Sequence, residues 1–565
     1  MRLLDDLTIE KKIILTFIFA ILNLCSSIIF ASYPIEVSGQ MLYLLHRGKT
    51  ALAFENYLKY AKANGEHDFA LLQQAGISLL EEGIESDDLE TQLMCMFGAG
   101  IANSSDLFHI LEKGIHAKEP RIQLIALSYL GKQNDDRADE LLLEALSSPF
   151  LLTKLEGCYQ LAKKNHPSVL MHMQSLMVKI PDFVRSLFPQ IIIHLDGKEA
   201  NQYLKQLLSD ANIEVRIEAI LAIARMRRDD FLPQIRHLAS QTHHAQQEAC
   251  LLALGALQDT LSIPLLKNCL QSYRKEVRLA AAVALYEIGD CEALKLIEEM
   301  ARLGDLFAIT SLGIIKEGRQ VLHDMTSHVD RDVRLNASLS LLQLREETSL
   351  TEILIPGSRD LGFIAFSSPG RGLKAWKTIP SHHQNTQGYP GVIQQTLALR
   401  EKVLMESIEL PNDQFLKIVK KLIDEKQTQL IPLAAMLLEN TGTPESIALL
   451  SEGQQKAGEP LIRNYCTLAL YRLGQEGPYQ QQLINWVKSF GDQLMIQFRE
   501  SDDENFLPNQ HALTPEETSR FLVETFETLA QRQNQAGLEA LIYAMAYGNP
   551  KNKYALAGLL IRTTE

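Results

Sequence analysis

Val277-Arg278-Leu279-Ala280-Ala281-Ala282-Val283-Ala284-Leu285-Tyr286-Glu287-Ile288-Gly289-Asp290 reads as one short helix together with its end. Val277, Ala281, Ala284, Leu285 and Ile288 recur at helical spacing and give the helix one small-to-apolar face. Gly289 follows where a left-handed residue closes a helix. A basic residue, a small or apolar residue three places on and a Leu or Ile seven on return along the chain. The series reads Arg121, Lys154, Arg185, Arg216, Gln247 and Arg278, with steps of 33, 31, 31, 31 and 31 residues. So regular a step predicts stacked helical hairpins, each burying its face only against its neighbours.

Units that match well surround this one. Leu204, Leu207 and Leu208 form a helix face, Ser209-Asp210-Ala211-Asn212 turns the chain, and Val215, Arg216, Ala219, Ala222 and Ile223 open the next helix. Val333, Arg334, Ala337, Leu341 and Leu344 repeat the phrase, as do Arg463, Cys466, Ala469, Leu470, Leu473 and Gly474. Pro233 and Pro264 open second helices, where a missing N–H costs nothing. The phrase around Val277 to Asp290 resembles the HEAT repeat, in particular the short bacterial type named after phycobilisome lyases. That resemblance implies a right-handed α-solenoid (a HEAT-like/ARM-type superhelix) of about ten helical hairpins, serving as scaffold or adaptor. The family's turn Asp, six before the Arg, stands at Asp210 but is Ser272 and His328 in other units, so a continuous Asp–Arg ladder is not expected. The small residues Ala219, Ala281 and Ala337 are expected where hairpins approach closely, and Arg216, Arg278, Arg334 and Arg463 are expected to bond turn carbonyls or neighbouring acids.

Five segments follow from the pattern. Residues 1–31 read as an export segment: Lys11-Lys12, an apolar run from Ile13 to Leu22, and cleavage after Ala31. The 19 residues from Ile13 to Ala31 would also serve as a retained membrane anchor, and Cys25 allows a lipoprotein reading. Residues 33–67 resemble one degenerate tetratricopeptide hairpin, read as an N-terminal cap. The repeat array occupies 68–350, an irregular loop insertion 351–391, and C-terminal helical repeats with a closing cap 392–565.

At 565 residues the chain exceeds what one compact core supports, a limit that a linear stack escapes. A net charge of −14 argues against wrapping nucleic acid. The cysteines outside the leader show no metal-ligand spacing, and those at repeat positions read as small buried apolar residues.

Catalytic chemistry finds no footing. Deoxyhypusine hydroxylase, an enzyme of this fold, holds two irons with His-Glu dipeptides, and none of the 15 histidines here precedes a Glu. H-E-x-x-H, P-loop and G-x-S-x-G motifs are absent from the sequence. His243-His244 and His382-His383 are the paired histidines, and adjacent residues on a helix diverge too far to share a ligand. No cofactor, catalytic residue or metal site is assigned. The insertion is the sharper candidate: Arg359, Phe366, Arg371, Lys374, Trp376 and Lys377 interleave aromatics with cations and could recognise an acidic partner. The expected function is a non-catalytic scaffold, exported to the periplasm or envelope of a bacterium, binding a protein or peptide along its concave surface. Membrane contact is expected only if the leader is retained. The alternatives are an enzyme or enzyme accessory with its site at 355–391, or a secreted effector.

Overall fold

The computed structural model describes residues 37–177, 179–241, 243–346, 348–355, 363–368, 372–377, 390–456, 458–491, 515–531 and 535–564. The leader, Arg359, Arg371 and His382-His383 lie outside these. The chain divides into two compact units: one holds residues up to Leu141 with Gln480–Phe498 and Thr518–Glu565, the other Leu142–Tyr479 with Arg499–Glu517.

The second unit is built on the repeat. One helix of each hairpin belongs to the rung layer: α1 (Leu151–Lys163), the broken pair α2 (Asp182–Arg185) and α3 (Phe188–Ile192), α4 (Ile213–Arg225), α5 (His244–Ala256), α6 (Lys275–Ile288), α7 (Leu306–Leu312) and α8 (Arg331–Gln343), with Gln247 in place of the basic residue in α5 and no basic residue in α7. Shorter outer helices such as Leu232–Ala239 and Ile263–Cys269 alternate with them, Pro233 and Pro264 each in the first turn. Pro189, with no N–H to give Arg185, accounts for the break between α2 and α3.

The rungs grip backbone. Arg216 Nη1 donates to the carbonyls of Asp210 (2.6 Å) and Ala211 (3.1 Å). Arg278 donates to Ser272 O (2.8 Å), and Arg334 to His328 O (2.9 Å) and Val329 O (3.1 Å). A carbonyl is present whatever side chain the turn carries, so Ser272 and His328 leave these bonds intact, while Gln247 in α5 reaches Ala239 O, eight residues back (3.0 Å). Arg185 also pairs with Asp210 of the next hairpin (3.2 Å).

The small positions behave as expected. Ala219, Cys250, Ala281 and Ala337, three past the rung, are buried, as are Ile223, Leu254, Leu285 and Leu341, seven past it. Each helix then closes alike: the N–H groups of Arg228, Asp259, Asp290 and Glu346 reach back to the carbonyls of Ile223, Leu254, Leu285 and Leu341. The residue before each, Arg227, Gln258, Gly289 or Arg345, takes a positive φ.

One correction concerns 351–391, expected to be an irregular loop. A helical turn, α9 (Thr351–Leu354), begins it, and α10 (Pro390–Glu406) starts before its end. Between them, β1 (Phe363–Ser368) and β2 (Gly372–Lys377) pair antiparallel, Phe366 opposite Lys374 and Ile364 opposite Trp376. Ser367-Ser368 read as loop chemistry, but they are the last two residues of β1, paired with Leu373 and Gly372. The insertion thus falls between the two helices of a single repeat, and the stack resumes behind it. α10 packs on α8, then on α11 (Ile431–Thr441), which meets α12 (Pro460–Arg472). Arg400 of α10 makes the rung bond, donating through Nε (3.2 Å) and Nη2 (2.7 Å) to Leu354 O, 46 residues back instead of six. Arg463, in α12, is exposed.

The first unit corrects the register at the start of the array. Gln92 and Gln123 each donate through Nε2 to a carbonyl six residues back, Ser86 O (2.8 Å) and Ala117 O (2.7 Å). Gln92, Gln123 and Lys154 are 31 apart, so the rung is Gln123. Arg121 sits at a helix start and pairs with Glu119 (2.8 Å). An amide N–H serves a carbonyl as a guanidinium does, which is why a search for basic residues alone slipped by two.

In this unit the two expected caps form one body. Asn552–Thr564 packs on Phe69–Ile84 and Leu89–Ala102, and Gln535–Tyr547 packs on Thr50–Asn64. Glycine makes the approach: a Cβ on Gly558 would stand 2.0 Å from Gly98 O, and one on Gly98 2.3 Å from Tyr554 O. Lys551 pairs with Asp88 (3.1 Å) and Glu90, and Lys553 with Glu82 (3.4 Å).

Candidate protein-interaction site

The face of each rung helix turned away from its hairpin partner carries the residues one and five past the rung. In α6 these are Leu279 and Val283, each about 160° around the helix from Ala281. An outward face of this kind ordinarily carries polar residues. Here Leu221 of α4, Leu252 of α5 and Val283 of α6, all five past the rung, are 2%, 3% and 3% exposed. Earlier helices place Ser128, Tyr159 and Gln190 there, half-buried, and α10 places Met405, exposed. Leu468, in α12, repeats the buried pattern at the far end of the unit.

The hairpin packs on rung helices. β1 packs on α7 and α8, and β2 on α5, the helices on either side of α6. The stack below is tight: a Cβ on Gly255 of α5 would come within 2.5 Å of Ala284 Cα. Of the candidate residues, Phe366 falls in β1, and Lys374, Trp376 and Lys377 fall in β2. Register gives Ile364, Phe366, Lys374 and Trp376 one parity, and Phe363 and Lys377 the other. Arg359 and Arg371 lie outside the described residues.

Two cavities open on the unit. One, of about 370 Å³, is lined by Arg225, Arg227, Gly255, Gln258 and Glu287 at the C-terminal ends of α4, α5 and α6. Burial there pushes the Glu287 carboxyl up to about 7. The other, also about 370 Å³, lies where Arg334 meets Glu352 (3.3 Å), beside His323 and Thr348. Asp259, buried against Arg236 (2.6 Å) and Ser262, keeps its carboxyl below the usual carboxylate range through those bonds, which outweigh its burial. Cys95, Cys158, Cys250, Cys269 and Cys466 are free and buried, and burial pushes their thiols up, as expected of packing residues rather than nucleophiles. Among the described residues no cluster of His, Cys, Asp and Glu could hold a metal ion, and no helix is long and apolar enough to cross a membrane.

Sequence reading missed Arg400, whose rung partner the insertion moves out of local range. It also missed the outward apolar row, which was legible: Leu279 to Leu285 holds no polar residue, as befits a helix covered all round.

Residues 200–285 match the family described as HEAT repeats. Among solved structures, a homology model of the full-length AP-3 complex is similar at 14% identity, covering 88% of this chain and 95% of that one, TM-score 0.28. A mutant of Kap121p is similar at 12% identity, covering 93% and 79%, TM-score 0.27. An engineered protein is similar at 16% identity, covering 86% and 99%, TM-score 0.18. No curated protein matches. The family match spans α4 and α5 and reaches into α6: residues 200–285 are HEAT repeats, set in a second unit of stacked helical hairpins.

Proposed function

We propose that this protein is a non-catalytic scaffold that binds a protein or peptide partner on the rung-helix layer of its second unit. The observation that carries this reading is the row Leu221, Leu252 and Val283, apolar and buried at one position of three successive rung helices, where the earlier helices carry Ser128, Tyr159 and Gln190. HEAT-type stacks suit the role because their repeats build extended surfaces without a deep catalytic cleft. The leader, Lys11-Lys12 followed by Ile13 to Leu22, supports a place in a bacterial envelope.

The test is capture of envelope proteins by the chain lacking residues 1–31, comparing the native sequence with Leu252→Glu. The scaffold reading expects a defined set of proteins retained by the native chain and lost with the variant, both chains showing the same helical circular dichroism. An identical set on both chains would remove this face from the function. Fractionation of cells for the full chain decides the compartment, a cytoplasmic pool alone counting against export.

A further inference from the structure

We propose that the cavity at the C-terminal ends of α4, α5 and α6 is a site for a short free peptide, whose ammonium end meets Glu287 and whose carboxylate end meets Arg225 and Arg227. This goes beyond the scaffold reading and does not depend on it: the site lies at helix ends, away from the row of Leu221, Leu252 and Val283.

Glu287 is a residue that its own helix does not favour. It stands in the last turn of α6, where the negative end of the helix dipole favours a cation. The same position, nine past the rung, holds Lys163 in α1 and Arg225 in α4. Glu287 is also half-buried, and among the described residues its carboxyl accepts no hydrogen bond. Acids of the adjoining turns are paired instead: Asp230 with Arg228 (2.8 Å), Asp259 with Arg236 (2.6 Å) and Asp290 with Lys267 (3.1 Å). A carboxylate sheltered from water without a partner costs free energy. A local rule broken with no structural compensation is expected at a functional site.

The backbone makes room for this carboxyl. A Cβ on Gly255 would stand 2.6 Å from Glu287 Oε2 and 2.5 Å from Ala284 Cα, so the carboxyl lies across bare α5. Arg225 and Arg227 line the same cavity and are exposed, and Gln258 adds an amide from the end of α5. Burial alone pushes the Glu287 carboxyl up, with no contribution from either arginine, so the opposite charges stand apart.

That separation selects the ligand. About 370 Å³ falls in the lower range of small-molecule sites. α4 and α6 flank α5, two helix steps apart at about 8–10 Å per step. A free amino acid holds both charges within one residue and cannot bridge them. A peptide advancing about 3.3 Å per residue reaches across with about three residues, the Arg and Glu side chains closing the rest.

The experiment is isothermal titration calorimetry of the full-length chain with trialanine, whose two ends are free. Saturable binding at millimolar peptide is expected, at least ten-fold weaker with Glu287→Gln and with the double variant Arg225→Gln, Arg227→Gln. Acetylating the amino end should cost the native chain at least ten-fold and the Glu287→Gln chain nothing. Amidating the carboxyl end should cost the native chain at least ten-fold and the double variant nothing. No saturable binding of trialanine, or equal binding of the blocked peptides to the native chain, overturns the proposal. So does acetyl-Lys-Ala-Glu-amide binding as tightly as trialanine, which would assign the cavity to charged side chains of a longer partner. Should a variant lose the native circular dichroism, the blocked peptides on the native chain decide alone.

Discussion

The two units bury their helices by different rules. In the second, hairpins meet through alanines and cysteines at a fixed step, and the rungs Arg216, Arg278 and Arg334 each satisfy a carbonyl six residues away. In the first, residues more than 450 positions apart meet at Gly98 and Gly558, backbone against backbone. The first arrangement spreads its stability over many replaceable contacts. The second concentrates it at one crossing, where the nearest atom to any new side chain is a carbonyl that cannot swing aside.

That contrast predicts the largest effect. Gly558→Leu should destabilise the first unit by about 3 kcal/mol, at the upper end of overpacking costs, because no rotamer avoids Gly98 O. Since two units need not unfold together, hydrogen exchange is the appropriate measurement. Faster exchange is expected in 69–102 and 535–564, with α4, α5 and α6 unchanged. If α4, α5 and α6 exchange equally faster, the two regions are not energetically distinct and the comparison fails.

The next effect compares two rungs within the second unit. Arg400 is buried, and its burial lowers the guanidinium to about 10, so it stays charged at neutral pH. Its removal as Arg400→Met leaves Leu354 O without its donor behind the insertion and should cost about 2 kcal/mol. Arg278→Met, at a turn that water reaches, should cost under about 1 kcal/mol. Urea midpoints of the two variants decide it, and equal values would mean the insertion has not changed what a rung is worth. Arg400→Lys should recover little, since the native bond uses two N–H groups of one fork.

These differences explain what could be read from the chain. The repeat was legible because close packing imposes small residues at one position and branched ones at another, and these leave a period. The rung's identity was less so: Gln92 and Gln123 perform the same bond without a charge, so a search for Arg or Lys stepped onto Arg121. The clasp left no local trace, as Gly98 and Gly558 are ordinary helix glycines until their partners are known. The hairpin was hidden because Ser367 and Ser368 read as turn chemistry and its six-residue arms, Phe363–Ser368 and Gly372–Lys377, are too short and too irregular to show a period of two. Phe366, Lys374 and Trp376 were picked out by composition, and the pairing gives them one parity, with Lys377 on the other.

The smallest effect sharpens the comparison among rung helices themselves. Nine past the rung, α4 ends in Arg225 and α5 in Ala256, while α6 places Glu287 in the cavity they share. Burial raises that carboxyl from 4.5 to about 7. Between those values the unfolded chain has released the proton and the folded chain retains it. The unfolded state then binds fewer protons, so stability falls as pH rises from 4.5 to 7 and is level above. Glu287→Gln removes that fall. Allowing for partial solvent access, the gain should be about 1–2 kcal/mol at pH 8 and close to zero at pH 4. Thermal unfolding across that range reads it directly. A gain of the same size at both pH values would mean that the amide improves packing alone, and that the ionised carboxylate is already well solvated beside Arg225 and Arg227.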